Sequence, residues 1–320
     1  MKILQEKSQC CAAKIIRFGG KRRQCSACRK TWRVHPAKRG RKAKRRQNHY
    51  LTKVFRSGFT VKQLACHSRL SVAAIYKRFN RGLTDSLNRR RVIRIKGKKL
   101  ILLLDALWQY FSGELWTLYR LSVKSIDSFQ ATLLDPVLRL GKESASNWRE
   151  MIDELPPGIK NRVIALVSDG IKGIETVTED NGWLIQRCHF HLLGLLYKMR
   201  GKRAATPGRL VREKICCLVK LALRETSARR LNNQCGQLAK LAKHPKCPKR
   251  MRKIVRDFLR RIEEFRAYLE YPELRLPTTT NVMESANSVL RRKVKTVNSP
   301  QSWHKWALAV TRFKSKFTCE

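Results

Sequence analysis

The first hundred residues carry apolar positions at helical spacing. Two such stripes lie close together, at Val61, Leu64 and Ala65 and at Val72, Ile75, Tyr76 and Phe79. A turn at residues 67–70 separates them, and Ser71 can cap the second helix. The pattern predicts a helix-turn-helix within residues 49–98, with Ser71–Arg81 as the recognition helix and Ser71, Lys77 and Arg78 as DNA contacts. A small helical hairpin without a DNA role has the same spacing.

Beyond residue 99 the pattern becomes that of strands. Lys99–Trp108 is a buried run that ends its apolar stretch at Asp105, and Glu114–Ser122 alternates like an antiparallel partner across a turn at residues 111–113. A helix near Ser144–Glu154 precedes a second apolar run, Arg162–Asp169. Trp183–Cys188 is a further short strand. Hairpins mixed with crossovers predict an α/β fold with a mixed sheet.

The remainder is helical in pattern. Met251–Leu269 has the period of one amphipathic helix of about five turns, another helix lies near Val211–Leu223, and residues 192–275 together form an all-helical insertion. A helix containing Glu284 follows residues 278–281. The final helix, Gln301–Phe313, carries Trp303 and Trp306 three positions apart, which favours core packing over base stacking.

The net charge of the chain indicates the kind of partner that it binds. The 320 residues carry a net charge of +48, and residues 1–99 hold 31 of the 71 Lys and Arg but only two acids, Glu6 and Asp85. Such a chain needs a polyanion, and nucleic acid is the expected partner. The 42% hydrophobic content excludes a disordered arm. The longest apolar runs are far too short for a membrane span, and no signal core is visible, so we expect a cytoplasmic protein associated with DNA.

The densest charge lies in residues 36–48, between the first segment and the helices. This stretch has no apolar period, and like charges at this density repel into an extended linker. We expect its side chains to bind DNA phosphates without sequence preference, although a solvated linker has the same composition. The basic residues are Lys38, Arg39, Arg41, Lys42, Lys44, Arg45 and Arg46.

The cysteines of residues 1–35 suggest a metal site. Eleven cysteines in a chain with no export signal are expected to be reduced. Cys25 and Cys28 form one half of a zinc-ribbon-like site. The other half is irregular, because Cys10 and Cys11 are adjacent and adjacent cysteines rarely chelate one ion together. Cys10 with Cys11, or His35, completes a zinc site, or the site has decayed.

Three carboxylates stand out in so basic a chain. Asp105 and Asp169 end apolar strands, where an unpaired charge is costly to desolvate, and Glu284 lies on a helix. Each alone is explained by turn capping. Together, two strand aspartates and a helix glutamate can hold two divalent ions about 4 Å apart, the arrangement for in-line phosphodiester displacement. The expected ions are Mg²⁺ or Mn²⁺.

Three motifs carry a family resemblance. They are Ser168–Gly173, Gln186–His191 and Thr279–Ser285, the last running on to Arg292. In this order they resemble the bacterial Mutator-type insertion-sequence transposases, DDE enzymes with an RNase H-like catalytic domain, over about residues 99–315.

The resemblance implies roles for individual residues. Asp105, Asp169 and Glu284 become the catalytic acids, and Cys188 with His191 the family's Cys-x-x-His signature beside the active site. The span between Asp169 and Glu284 then contains the helical insertion. The motif around Asp105 is short, and Asp127 and Asp135 are weaker rivals because neither ends an apolar strand.

The expected function is therefore DNA transposition by a catalytic domain over residues 99–320. The chain would bind terminal inverted repeats and target DNA, cleave and join strands with two metal ions, and act as a homo-oligomer on two DNA ends. Two alternatives stay open. One is an RNase H-like nuclease that cuts without strand transfer, and the other is a DNA-binding regulator or inactive copy in which residues 1–99 do the work.

Overall fold

A computed structural model describes most of the chain and begins with a small sheet. The described residues are 7–8, 10–33, 50–55, 58–68, 70–89, 91, 93–201, 203, 206–293, 297–313 and 316–318. Strands β1 (Ile15–Arg17), β2 (Arg22–Cys25) and β3 (Thr31–Arg33) pair antiparallel in sequential order. His35 and the basic residues of the predicted linker, 36–48, lie outside the described residues.

Two helices joined by a turn follow a helical segment, α1 (50–55). They are α2 (Val61–Cys66) and α3 (Val72–Leu87). Ser71 caps α3 as predicted, since its Oγ accepts the Ala74 amide at 3.2 Å. The helix continues six residues past the predicted end at Arg81, although Gly82, Thr84 and Asp85 are weak helix formers, because Leu83 extends its buried face.

The buried face of α3 differs from the predicted stripe. Ile75, Phe79 and Leu83 are fully buried, but Val72 is 40% exposed and Tyr76 is 47% exposed. The buried residues follow a spacing of four, so the face is centred one turn later than predicted. Val72 and Tyr76 lie at its edge and stay in solvent.

The N-terminal helices pack on the end of the chain. The Trp306 ring lies 5.5 Å from that of Phe55 and 5.8 Å from that of Phe79, measured between centroids. Trp303 is 3% exposed and packs beside Phe111. The predicted core role of both tryptophans is confirmed.

A mixed sheet forms the centre of the rest of the chain, as predicted. Its strands are β4 (Leu100–Phe111), β5 (Glu114–Ser125), β6 (Gln130–Leu133), β7 (Val137–Leu140), β8 (Val163–Ser168), β9 (Leu184–Arg187) and β10 (Lys316–Thr318). They are ordered β10-β6-β5-β4-β8-β9, with β7 also pairing with β5. Strands β8 and β9 run parallel to β4, whereas β5 is antiparallel to it.

Three of these strands were not predicted. Strands β6, β7 and β10 are three or four residues long, which is too short for alternation to distinguish them from loops. The β4–β5 hairpin was predicted, and it closes through Ser112 and Gly113, both at positive φ, as a two-residue turn requires.

Helices cover both faces of the sheet. They are α4 (Ala145–Asp153), α5 (Pro157–Lys160), α6 (Ile174–Asp180), α7 (His189–Met199), α8 (Arg209–Ala222), α9 (Ala228–Lys243), α10 (Lys249–Arg260), α11 (Ile262–Glu270), α12 (Asn281–Lys293) and α13 (Pro300–Phe313). Alternate residues of β4 point to opposite faces. Leu102 and Leu104 pack with α4 and α6, whereas Ile101 and Leu103 pack with α11 and α12.

The predicted single helix over Met251–Leu269 is wrong. Arg261, with φ −120° and ψ 27°, breaks it into α10 and α11. The two helices pack into different hydrophobic cores. Met251, Val255 and Phe258 of α10 pack within the helical insertion, whereas Ala267 of α11 packs against the sheet. An apolar period can continue across such a break, so periodicity does not reveal it.

Candidate active site

The two candidate aspartates lie on adjacent strands at the same height. Strands β4 and β8 pair in parallel, and the last pair in register is Leu103 with Val167. Asp105 and Asp169 each come two residues later, so the register places both at one edge of the sheet. Asp105 shares the face of Ile101 and Leu103, the face that α12 covers.

Asp105 does not end its strand, as the apolar run had suggested. Strand β4 continues to Phe111 because β5 still pairs with it there, while β8 has already ended. Asp105 lies within β4, beyond the end of β8, and is 4% exposed. Asp169, directly after the last residue of β8, is exposed.

Glu284 reaches the same place from the first turn of α12. The start of this helix is tied to the end of β9, since the His189 amide donates to the Thr278 carbonyl at 2.8 Å and the Thr280 amide to Cys188 Sγ at 3.3 Å. These bonds link the Cys-x-x-His segment to the glutamate helix. Cys188 is 1% exposed, and its sulfur ties the start of the glutamate helix to the segment that carries His191.

His191 lies between two of the acids. Its Nε2 is 3.4 Å from Glu284 Oε1 and 3.9 Å from Asp105 Oδ1. Ligand atoms of these three residues all lie within 4.8 Å of one another. Asp169 lines the same cavity, but its carboxylate is not part of that close group. The structure therefore brings all three predicted acids to one cavity and two of them into contact distance through His191.

Asp105 is held by a buried polar chain. Asn287 Nδ2 donates to Asp105 Oδ2 at 2.6 Å, and Arg120 Nη1 donates to Asn287 Oδ1. Arg120 pairs with Asp105 across the β4–β5 ladder and is 1% exposed. The chain orients the carboxylate and places a positive charge behind it.

Burial and neighbouring charges shift the pKa values of Asp105 and Glu284 in opposite directions. Burial and the neighbouring Glu284 charge raise the pKa of Asp105 to about 7. Burial also disfavours a charged His191, but Cys188, Glu284 and Asp105 outweigh it and raise the pKa of His191 to about 11. The hydrogen bond from His191 lowers the pKa of Glu284. His191 therefore lies where a positive charge between Asp105 and Glu284 is favoured.

The cavity around these residues has a volume of about 620 Å³ and is lined by acidic, basic and apolar side chains. Two cationic side chains, Lys198 and Arg291, lie on its rim with the large apolar side chains Trp108 and Phe190. Trp108 is 70% exposed and Phe190 is 47% exposed. The lining residues are Asp105, Ala106, Leu107, Trp108, Glu143, Asp169, Phe190, His191, Gly194, Leu195, Lys198, Glu284 and Arg291.

The Gln186–His191 motif connects the sheet to the returning end of the helical insertion. Gln186 Nε2 donates to the Phe265 carbonyl at 3.0 Å, and its Oε1 accepts the Tyr268 amide at 2.9 Å. His189 Nε2 bonds the same carbonyl at 2.7 Å. These bonds hold α11 against β9, and they thereby position the start of α12, which follows α11 in the chain.

Arg187 and Gly170 pack against each other next to Asp169. Arg187, 3% exposed, pairs with Glu175 and Glu264, each at 2.5 Å. Gly170 follows Asp169 with φ +87°, and a Cβ there would lie 2.6 Å from Arg187 Cζ. The glycine after the aspartate thus provides both a left-handed turn and room for Arg187.

The rival aspartates lie elsewhere. Asp135 is paired with Arg312 at 2.6 Å and Arg91 at 3.0 Å, which lower its pKa against the opposing effect of burial. It lines a larger, mainly apolar cavity of about 900 Å³ together with Arg91. Asp127 is exposed and contacts Ser125. Neither lines the cavity of Asp105.

Several residues of the site were missed in the sequence. Glu143 lines the cavity, and burial together with the Asp169 charge raises its pKa to about 7. It lies in a loop before α4, so no strand pattern marks it. Asn287 and Arg291 could have been found, since they follow Glu284 by three and seven residues and so share its face of the helix. Lys198 lies on α7, seven residues after His191, and could have been found in the same way.

The predicted zinc ligands also come together. The Sγ atoms of Cys10, Cys11, Cys25 and Cys28 all lie within 4.8 Å of one another. The adjacent pair therefore does converge on the Cys-x-x-Cys turn. The cluster lies in the small N-terminal sheet.

The side chains predicted to contact DNA are accessible where they are described. Ser71, Lys77 and Arg78 are all exposed on α3. Among the described residues, no helix is both long enough and apolar enough to cross a membrane.

Comparison with known proteins identifies the family. Residues 137–312, more than half of the chain, match the family model described as transposase, Mutator family. The chain therefore belongs to the Mutator family of transposases. The match includes Asp169, Cys188, His191 and Glu284 and begins after Asp105.

A solved structure titled Drosophila P element transposase strand transfer complex is 10% identical, with a TM-score of 0.38, over 82% of this chain and 95% of that one. A likeness at this level defines neither fold nor function. No curated protein matches.

Proposed function

We propose that the chain cleaves DNA strands at the terminal inverted repeats of a mobile element and joins them to target DNA. The observation that carries this proposal is the convergence of Asp105, Glu284 and His191 within 4.8 Å, in a cavity that Asp169 also lines. Membership of a transposase family supplies the substrate class, double-stranded DNA. Two ends must be held together for joining, so the active form is a homo-oligomer on DNA.

The acids fit a divalent cation. Asp105, Asp169 and Glu284 offer only carboxylate oxygens, the ligands preferred by Mg²⁺ and Mn²⁺. The raised pKa of Asp105 comes from burial and from Glu284, and a bound cation would relieve both effects. Two such ions would be held by these three residues and, when bound, would supply Lewis-acid stabilisation of the attacking and leaving oxygens.

The sheet supports an RNase H-like catalytic domain. An antiparallel pair, β4 and β5, is extended by the parallel strands β8 and β9, and the acids meet where β8 ends beside β4. Helices α7–α11 lie between β9 and the glutamate helix α12, in the place of the expected helical insertion. This arrangement agrees with what the sequence motifs imply.

The chain's own side chains complete the site. Lys198 and Arg291 flank the acids and are placed to bind phosphate oxygens of the scissile strand. His191 bridges Glu284 and Asp105 and keeps their carboxylates oriented when no DNA is bound. Asn287 and Arg120 are positioning residues, because they act on Asp105 from behind.

Asn287→Ala tests the positioning role. Removing the amide leaves Asp105 without its 2.6 Å donor, and loss of an outer partner of a metal ligand lowers metal affinity by about 10- to 100-fold. We expect the Mg²⁺ concentration for half-maximal cleavage to rise by that factor, with cleavage recovering at high Mg²⁺. A loss of activity that no Mg²⁺ concentration restores would contradict a positioning role.

DNA binding by α3 is tested with Lys77→Ala and Arg78→Ala. Both side chains are exposed, and removing one cation that binds a phosphate is expected to lower the slope of log affinity against log salt by about one. Binding of terminal-repeat DNA would be measured between 50 and 200 mM salt, roughly the range over which such slopes are resolved. Arg149→Ala on α4 removes one charge away from α3 and serves as the control. An equal effect at Arg149 would refute a specific role for α3.

The direct test of the proposal is cleavage of DNA carrying the terminal repeats that flank the gene. We expect nicking with Mg²⁺ or Mn²⁺ and none with EDTA. Tight binding without cleavage under every metal condition would favour the regulator or inactive-copy alternative. Cleavage that never yields joined product would favour a nuclease.

A further inference from the structure

Two loops of the N-terminal sheet are closed by equivalent backbone hydrogen bonds. In the second loop, the Cys25 amide donates to the Lys30 carbonyl and the Arg29 amide to the Cys25 carbonyl, both at 3.0 Å. In the first, the Ser8 amide donates to the Ala13 carbonyl and the Ala12 amide to the Ser8 carbonyl, both at 2.9 Å. The two sets of bonds join equivalent positions, seventeen residues apart.

The match extends on both sides of each loop. The fifth residue is left-handed in each, with φ 48° at Ala12 and 56° at Arg29. Lys7 pairs with Lys14 before and after the first loop, as Gln24 pairs with Thr31 around the second. The loops are thus two copies of one turn, which the Ser26 amide links by donating to the Lys14 carbonyl at 3.0 Å.

This equivalence explains the irregular cysteine spacing. Cys11 stands where Cys28 stands in the other loop, and Ser8 stands where Cys25 stands. The first loop is therefore a Cys-x-x-Cys turn whose first cysteine is replaced by serine. Ser8 is 3% exposed, and its hydroxyl donates to Cys25 Sγ at 3.2 Å.

Cys10 supplies the missing sulfur. Its Sγ lies 3.4 Å from Cys28 Sγ, and all four sulfurs lie within 4.8 Å of one another. Zinc bound tetrahedrally at about 2.3 Å from each sulfur requires sulfurs about 3.8 Å apart. The cluster is close to that spacing.

Within the residues that the structure describes, the sheet has almost no hydrophobic core. Among the described residues up to Arg33, only Ser8 and Cys25 are buried. A sheet of three short strands cannot be stable without a hydrophobic core unless a metal or disulfides hold it. The two loops and their four sulfurs are therefore the elements that must be held together.

We propose that Cys10, Cys11, Cys25 and Cys28 bind one Zn²⁺ as thiolates, with Cys10 replacing the ligand that is missing at Ser8. Binding displaces the thiol protons to solvent and involves no redox change. The Ser8 hydroxyl serves as an outer partner of Cys25. The proposal is independent of the catalytic one, because the family match begins more than a hundred residues later.

The test uses the full chain purified under reducing conditions and loaded with Zn²⁺ or Co²⁺. We expect one zinc per chain and, with Co²⁺, the visible absorption of a tetrahedral tetrathiolate site. Cys10→Ser should weaken zinc binding by about 100-fold or more. Ser8→Cys combined with Cys10→Ser should restore it, because the ordinary Cys-x-x-Cys turn is rebuilt. Cys66→Ser, at an exposed cysteine on α2, should change nothing.

Three results would overturn the proposal. They are a reduced wild-type chain that takes up no zinc, a Cys10→Ser variant that binds zinc as tightly as the wild type, and a double variant that fails to regain binding. Rescue by the double variant separates loss of a ligand from general misfolding.

Discussion

Replacing any one of the three acids is expected to abolish cleavage of terminal-repeat DNA while leaving DNA binding intact. Asp105→Asn, Asp169→Asn and Glu284→Gln keep side-chain size but remove one carboxylate from the cavity. Removal of a single electrostatic stabiliser commonly lowers the rate by about 10² to 10³. Removing a metal ligand should lower it at least about 10³-fold, measured as the cleavage rate with saturating Mg²⁺.

The matched control for these variants is Asp127→Asn. Asp127 is an exposed aspartate outside the cavity, and its nearest polar partner is Ser125. Its replacement should leave the rate unchanged. If Asp127→Asn abolished cleavage and Asp105→Asn did not, the assignment of the first acid would be wrong, although Asp169 and Glu284 could still stand.

Gly170→Ala is expected to destabilise the fold around the site. The residue has φ +87°, which costs an alanine about 1 kcal/mol, and the added Cβ would displace the buried Arg187 from Glu175 and Glu264. Breaking a buried ion pair costs about 3 kcal/mol or more. For a domain of this size, the melting temperature should fall by about 10 °C.

Gly182→Ala separates the two causes. Gly182 has φ +65°, but a Cβ there meets nothing within 4 Å. This variant has the backbone strain alone, so its free energy of unfolding should fall by only about 1 kcal/mol. Equal melting temperatures for the two variants would mean that the ion pairs of Arg187 make no measurable contribution to stability.

Strand patterns located part of the candidate site. Apolar runs placed Asp105 and Asp169 at the ends of neighbouring strands, and the structure pairs those two strands in parallel. The motif from Thr279 placed Glu284 at a helix start, where the structure has it. These features are local, so a single sequence contains them.

Features that depend on distant segments were not predictable in the same way. The end of β4 depends on how far β5 pairs with it, which is why Asp105 was placed at a strand end and lies inside the strand. Glu143 reaches the cavity from a loop with no pattern of its own. The break at Arg261 reflects two separate cores that share one apolar period.

The acidic cavity is expected to join DNA as well as to cut it, and a strand-transfer assay measures this most directly. Terminal-repeat DNA with a free 3′-hydroxyl end would be incubated with target DNA, the wild-type chain and Mg²⁺, with Asp169→Asn run in parallel. We expect joined product that depends on Mg²⁺ and is absent with Asp169→Asn. Joined product formed equally by Asp169→Asn, or formed in EDTA, would contradict a metal-dependent joining role for this cavity.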